Sequence, residues 1–468
     1  MEKERTTSSP ELLLRIDRRA GMPLRTQLEQ ELRAAVRTGR LVAGAELPSS
    51  RLLAAELGVS RGLVVEAYEQ LLAEGYLTAR HGSATVIALR MPDVQRAAPI
   101  EAADAPLRYD FRPGVPDSKL FPRRAWLLSL RRVLNDMHSG ALHYPDVRGV
   151  SPVRVALAAY LNRARGTRAL PERMVMCTGF TQGFNLACKA LARCGVKSVA
   201  MEEPTHQEQR AIIRAAGLNP VTIGVDEYGL VVDRLKRSDA GAVFVTPAHQ
   251  FPTGAVLAPE RRTALLEWAR DRSAIVIEDD YDAEFRYDRE PIGALQGIAP
   301  ENVVYIGSAS KTLAPALRLG WMALPERLAN EVARLKRLED MGSPALDQFT
   351  LADFLERGEL DRHLRRMRLH YRRRRDALMT ALRARLPQLP VSGVAAGLHL
   401  MLELPPDADE QAVVAKAAEL SVRVIGVGSY RARSKARPAL VLGYGAIEDL
   451  LMEEGVKRLA SAIGRGGQ

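Results

Sequence analysis

Cysteine is scarce in this chain of 468 residues: Cys177, Cys188 and Cys194 are all it has. They form no Cys-x-x-Cys pair and sit in no histidine-rich run, so neither a disulfide framework nor a bound metal is expected. The three read as reduced structural thiols of a cytoplasmic protein. Long apolar runs are absent too; nothing approaches the roughly 20 residues that a membrane-spanning helix requires. Met1–Pro10 is polar and charged without an apolar segment, which argues against a signal peptide. Acidic residues are outnumbered, 56 Asp and Glu against 67 Lys and Arg, leaving a formal charge of +11. Such an excess admits a polyanionic partner. Residues 11–90, however, hold eleven arginines and nine acids, whereas eight arginines crowd into Arg362–Arg375. Leu364, Met367, Tyr371, Leu378 and Leu382 run through that second stretch at helical spacing, so it reads as an amphipathic helix with a solvated basic face.

What the sequence does contain begins with three helical segments. Leu24, Leu28, Leu32 and Val36 recur at helical spacing as far as Gly39. Pro48-Ser49-Ser50 caps a second helix, Arg51–Leu57, stopped by Gly58, and Val59-Ser60 caps a third, Arg61–Glu74, stopped by Gly75. Two helices joined by so short a glycine-containing turn form a helix-turn-helix. Tyr76–Arg80 and Ala84–Ile87, around His81-Gly82-Ser83, read as a hairpin wing. Ala88–Asp110 carries Pro92, Pro99 and Pro106 and no apolar period, the composition of a linker. The expected divisions are a winged helix over residues 11–88, a linker over 89–110 and an α/β domain over 111–468. The last of these ends in a small α+β subdomain from about residue 385, with strands at Leu398–Leu404, Val422–Val427 and Ala439–Leu442.

The chemistry concentrates between Ile277 and Trp321. Two strand-like runs, Ala274–Ile277 and Val303–Ile306, each end in polar residues, and in an open α/β sheet ligands sit at such strand ends. One end offers Asp279, Asp280 and Tyr281; the other offers Ser308, Ser310, Lys311 and, seven residues on, Arg318. That set suits pyridoxal phosphate. The Lys311 amine can form a Schiff base with its aldehyde. Asp279, or else Asp280, can keep the pyridine nitrogen protonated. Tyr281 can donate to the phenolic oxygen, while Ser308, Ser310 and Arg318 can hold the phosphate. Upstream, the short strand Val175–Cys177 runs into Thr178-Gly-Phe-Thr-Gln-Gly183. The free amides of Phe180, Thr181 and Gln182 would open a helix there and make an anion site.

Asp279-x-Tyr281, Ser308-x-Ser310-Lys311 and Arg318-Leu-Gly320 resemble the fold-type-I aminotransferase superfamily. Details resemble its regulator branch, the MocR/GabR family, over the full length of the chain. Those details include Leu120-Phe-Pro-Arg123, Trp126, Tyr144-Pro-Asp-Val-Arg-Gly149 and His249-Gln-Phe-Pro-Thr-Gly254. Pro48-Ser-Ser-Arg51, Leu57-Gly-Val-Ser-Arg61, Ala67-Tyr68 and Glu74-Gly-Tyr76 resemble a GntR-type DNA-binding domain. The resemblance implies a transcriptional regulator on a double-stranded DNA operator, its aminotransferase-like domain sensing an amine or pyridoxal phosphate itself. It also implies a homodimer, because Tyr144 would cross to the neighbouring subunit's phosphate. On the DNA, Arg61 would contact base or phosphate, Ser60 a phosphate and Arg51 the backbone; Arg80, His81 and Gly82 would reach the neighbouring groove. Leu63 stands where a small hydroxyl residue is expected. His206 falls where an aromatic ring usually stacks on pyridoxal. Two departures lower the expected catalytic power. Phe251 replaces an asparagine that bonds the phenolic oxygen, and Val441 replaces the arginine that clamps a substrate carboxylate. Arg431, Arg433 and Arg437 lie nearby, and Arg437 is taken as the effector contact. The competing readings are a working aminotransferase with an appended DNA-binding domain and a DNA-binding protein on an inert dimerisation scaffold.

Overall fold

The computed structural model describes residues 6–9, 14–79, 84–88, 107–288, 292–393, 395–432 and 437–464. The chain divides into two compact units, Met1–Ala105 and Pro106–Gln468.

The first unit opens with an antiparallel pair, β1 (Thr6–Ser9) and β2 (Leu14–Asp17). Three helices follow, α1 (Leu24–Arg37), α2 (Ser50–Leu57) and α3 (Arg61–Ala73), and then the antiparallel pair β3 (Leu77–Ala79) and β4 (Thr85–Ile87). Local chemistry sets the helix ends. The Ser49 hydroxyl accepts from the Leu52 amide to start α2, and Gly58 closes it at φ +61°, a backbone conformation that favours glycine. Ser60 then caps α3 by accepting from the Leu63 amide. Leu28, Leu32, Leu53, Leu57, Val64 and Leu71 fill the core between the helices. The hairpin β1–β2 was not expected. Leu14 and Ile16 are fully buried, but two apolar residues in alternation are too short a signal to mark a strand. The two wing strands fall within the stretches expected for them; Arg80, His81 and Gly82 lie outside the described residues.

The second unit is an eight-stranded sheet with helices on both faces. In chain order, after β5 (Tyr109–Asp110), its strands are β6 (Met174–Cys177), β7 (Ser198–Glu203), β8 (Asn219–Asp226), β9 (Gly229–Leu230), β10 (Ala242–Val245), β11 (Ile275–Asp279), β12 (Val303–Ser308) and β13 (Gly320–Ala323). The spatial order is β6-β13-β12-β11-β10-β7-β8-β9, parallel from β8 through β12, with β13 antiparallel to both of its neighbours. Side-chain alternation serves both faces. Phe244 and Ile277 enter one buried cluster with Phe184 and Leu191, while Val243, Val245 and Val276 enter another with Leu265 and Trp268.

A second sheet, in the order β14 (Val391–Ser392), β15 (His399–Glu403), β18 (Ala439–Gly443), β17 (Ile425–Gly426), forms the C-terminal subdomain. Between them β16 (Val422–Arg423) leaves that sheet and pairs in parallel with β5. Tyr109 and Asp110, assigned to the linker on sequence, therefore belong to the second unit, and Tyr109 and Phe111 are buried in its core. The arginine-rich helix spans Glu359–Arg385 with its apolar stripe buried as expected. Arg374, expected on the solvated face, is instead buried, bonding Asp117 at 2.8 Å and Asp449 at 2.9 Å. Among the described residues no helix is long and apolar enough to cross a membrane.

Candidate functional site

Parallel pairing of β11 with β12, Asp279 opposite Ile306, brings two polar strand ends side by side. The pleat then sorts the acids by face. Glu278 turns into the core and accepts from the Leu295 and Gln296 amides at 2.8 and 3.1 Å; burial pushes its carboxyl up to about 7. Asp280 lies on the same side. Arg165 grips it at 2.7 and 3.2 Å and the Tyr305 hydroxyl donates to it at 2.7 Å, with both charged side chains almost fully buried. Asp279 and Tyr281 take the opposite face and line a cavity of about 370 Å³. Of the two aspartates left open by the sequence, Asp280 is thus spent on a structural ion pair. Asp279 has no hydrogen-bond partner among the described residues, and burial, then Asp280, push its carboxyl well above the usual carboxylate range.

Lys311, Ser308, Ser310 and Arg318 line the same cavity, with Phe180, Thr181, His206 and Phe251. The Lys311 amine donates to the Gly114 carbonyl, a contact no motif had signalled. Burial lowers its pKa, against the opposing pull of Asp282 and Asp279. Helix α4 (Arg123–Asp136) and helix α5 (Ser151–Ala164) precede β6; after it comes α6 (Phe180–Arg193), whose N-terminus abuts the cavity. Gly179 starts α6 with no side-chain cap, and the first backbone bond inside the helix comes from the Gly183 amide. The amides of Phe180, Thr181 and Gln182 are consequently not taken up by the helix. Arg318, at φ +51°, folds back so that its guanidinium donates to the Thr178 carbonyl. Gly179 stands at φ +97°, a backbone conformation that strains any residue with a Cβ, and a Cβ there would also stand 2.8 Å from that guanidinium. Three hydroxyls (Thr181, Ser308 and Ser310), one guanidinium and free helix amides thus converge without partners of their own among the described residues, apart from the Thr178 contact.

Several expected residues stand differently. The Gln182 side chain turns away, donating to Asp340 at 2.8 Å and accepting from the Thr178 amide, and Gln182 does not line the cavity. His206 lines the cavity, yet its ring stacks on Phe251 at 4.2 Å and 4°, so a cofactor ring has just one imidazole face left to cover. Tyr281 donates its hydroxyl proton to the His249 carbonyl at 2.9 Å rather than into the cavity. Arg437 is exposed and paired with Glu403 at 2.8 Å; it does not line the cavity, which corrects its assignment as effector contact. Val441 joins Phe251, Val427 and Tyr430 in a small apolar cluster. Tyr144 is 87% exposed and does not line this cavity. In the first unit Arg51, Ser60 and Arg61 are exposed at the starts of α2 and α3. Ser60 uses its oxygen as a cap acceptor and keeps its own proton free to donate to a phosphate.

The residues fit pyridoxal phosphate. The half-buried Asp279 carboxylate, without a donor from the chain, suits a protonated ring nitrogen, a depressed lysine lines the same cavity, and the anion cradle matches a phosphate. Residues 116–440 match the aminotransferase class I and II family, and residues 24–87 match the gntR family of bacterial regulatory proteins. The chain is 32% identical to the HTH-type pyridoxine biosynthesis transcriptional regulator PdxR of Corynebacterium glutamicum, over 94% of this chain and 96% of that protein. It is 31% identical to the probable rhizopine catabolism regulatory protein MocR of Rhizobium meliloti, over 96% of each. Among solved structures, the α-aminoadipate aminotransferase LysN of Thermus thermophilus, complexed with N-(5'-phosphopyridoxyl)-L-leucine, superimposes with a TM-score of 0.68 at 26% identity, covering 76% of this chain and 92% of that one. The chain therefore belongs to the class I and II aminotransferase family, in the MocR-like branch of helix-turn-helix transcriptional regulators that carry a gntR-family domain ahead of the aminotransferase-like one.

Proposed function

We propose that this regulator holds pyridoxal phosphate on Lys311 and reports an amine effector, or the cofactor itself, to its DNA-binding unit. The observation that carries the reading is the unpartnered Asp279 carboxylate in one cavity with Lys311, Arg318 and the free amides of α6. When bound, pyridoxal phosphate supplies an electrophilic aldehyde that condenses with primary amines. Asp279 would hold the ring nitrogen protonated, and that cation would offset the burial that now disfavours the carboxylate. Arg318, Ser308, Ser310, Thr181 and the α6 amides would hold the phosphate. The lowered pKa keeps more of the Lys311 amine neutral and nucleophilic. Turnover is expected to be slight, because Phe251 offers no hydrogen bond and Val441 no charge at the positions where aminotransferases use both.

The effector signal must bias two arrangements of the chain by its differential affinity for them, a coupling on the order of 1–3 kcal/mol. A cytoplasmic homodimer fits this role. Tyr144 is available to a second copy, and Leu127, Leu128, Leu134 and Leu142 are exposed close to it in sequence. Adding pyridoxal phosphate and then a panel of amines, with absorbance and a gel shift read in parallel, tests the proposal; an effector that changes DNA affinity without perturbing the cofactor band would contradict it.

On the DNA side, Arg61→Ala is expected to lower operator affinity by about 1–3 kcal/mol, roughly 5–150-fold, with the cofactor spectrum unchanged. A gel shift on a DNA fragment selected by the protein checks this, and equal affinity of the two proteins would remove Arg61 from the recognition surface.

A further inference from the structure

Behind Tyr281 lies a buried polar group that no motif accounts for. His249 and Asp282 are 2% and 1% exposed in their side chains, with Nδ1 of His249 3.0 Å from the Asp282 carboxylate and 3.1 Å from the Tyr281 hydroxyl. A third buried ring, His399, stands 4.9 Å from His249 and bonds the Pro252 carbonyl through Nε2. The backbone makes room for the pair: a Cβ on Gly397 would come within 2.4 Å of both His249 Nδ1 and Asp282.

The proton positions follow from what each group can do. A carboxylate accepts only, so Nδ1 carries a proton and donates it to Asp282. Tyr281 then cannot donate to Nδ1, in agreement with its bond to the His249 carbonyl at 2.9 Å. Its oxygen sits 3.1 Å from Nδ1, close enough to take a bifurcated share of the proton donated to Asp282, and beside that carbonyl. The phenol proton, by contrast, is free to turn about the C–O bond.

We propose that the Asp282–His249 pair is a positioning device for Tyr281: it pins the phenol oxygen at the cavity wall, so that the hydroxyl can turn its hydrogen bond from the His249 carbonyl to an anionic oxygen in the cavity. The idea rests on the pyridoxal phosphate reading, in which that anion is the phenolic oxygen of the cofactor. With Phe251 unable to bond that oxygen, Tyr281 is the donor the site has left, and the pair supplies the fixation that asparagine gives elsewhere. No proton changes owner; the hydroxyl exchanges one acceptor for a charged one. Three ligand-type residues so close also resemble a metal site, but the His249–Asp282 contact already has hydrogen-bond length and His399 Nε2 is taken by the Pro252 carbonyl.

The test is a double-mutant cycle read by cofactor dissociation constant and by the position of the visible band. Tyr281→Phe and His249→Leu should each weaken pyridoxal phosphate retention by roughly 10–100-fold, the range for a bond to a charged group, and shift the band alike. Their combination should cost no more than Tyr281→Phe alone. His249→Asn, which keeps an N–H near the Nδ1 position, should restore most of the affinity, as a purely space-filling role would not. If His249→Leu does not fold, Asp282→Asn replaces it in the same cycle. Full additivity with Tyr281→Phe would overturn the proposal, as would stoichiometric zinc in the purified wild-type protein. A wild-type protein that shows no band would instead sink the cofactor reading beneath it, so the two failures are distinguishable.

Discussion

Lys311→Ala is expected to yield a folded protein with no borohydride-fixable visible band and no response of DNA binding to any amine. The loss should be complete, because no other amine lines the cavity among the described residues. The fold should tolerate the change. Lys311 makes one hydrogen bond, to the Gly114 carbonyl, and burial already disfavours its charged form. A single neutral-acceptor bond contributes about 1 kcal/mol or less net. The sign of the pH effect follows. A lysine whose folded pKa is lowered binds fewer protons when folded than when unfolded. It therefore destabilises the cofactor-free wild type below that pKa and ceases to do so as pH rises through it toward the unfolded value. Lys311→Ala should remove that slope. Denaturant titrations of both proteins at several pH values check the stability claim, and absorbance with a gel shift checks the function. An effector response that survives in Lys311→Ala would rule out the covalent route.

The neighbouring aspartates separate structure from chemistry. Asp280→Ala strands Arg165, 1% exposed in its side chain, and the Tyr305 hydroxyl in the core. Removing one partner of a buried ion pair costs about 3–5 kcal/mol. Since burial lets little solvent screen this pair, no discount for exposure applies. Asp279→Asn removes no hydrogen bond within the chain, and it replaces a carboxyl whose charge burial already disfavours. It should fold within about 1 kcal/mol of wild type and lose cofactor affinity and the band instead. Denaturation midpoints against cofactor titrations give the comparison. Equal stability losses for the two variants would mean that the pleat does not divide their roles.

That division shows what a sequence can and cannot carry. The helix-turn-helix was legible because its caps are local: Ser49, Gly58 and Ser60 act on backbone within four residues of themselves. The lysine site was legible because two strand ends with the right chemistry are themselves short motifs. Asp279 and Asp280 could not be told apart with certainty, since the difference lies in Arg165, 115 residues away in sequence. His249 and Asp282 stand 33 residues apart, the first in a motif read for another reason and the second just past Tyr281, and nothing in their spacing says that they meet. Arg437 was named for proximity in sequence to Val441, but its side chain pairs outward with Glu403. The strand Tyr109–Asp110 was hidden because its partner Val422–Arg423 lies more than 300 residues on, so a proline-rich approach masked a residue pair that belongs to the core.

The central claim is that Lys311 carries the cofactor through which this regulator senses its signal. It is tested most directly by the absorbance spectrum of the purified protein with pyridoxal phosphate, followed by borohydride reduction and peptide mapping. The account predicts a visible band, fixed by reduction to the peptide containing Lys311 and perturbed by the same compound that changes DNA affinity. Absence of any band, or a label fixed elsewhere with none on Lys311, would contradict it and leave the aminotransferase-like domain as a scaffold.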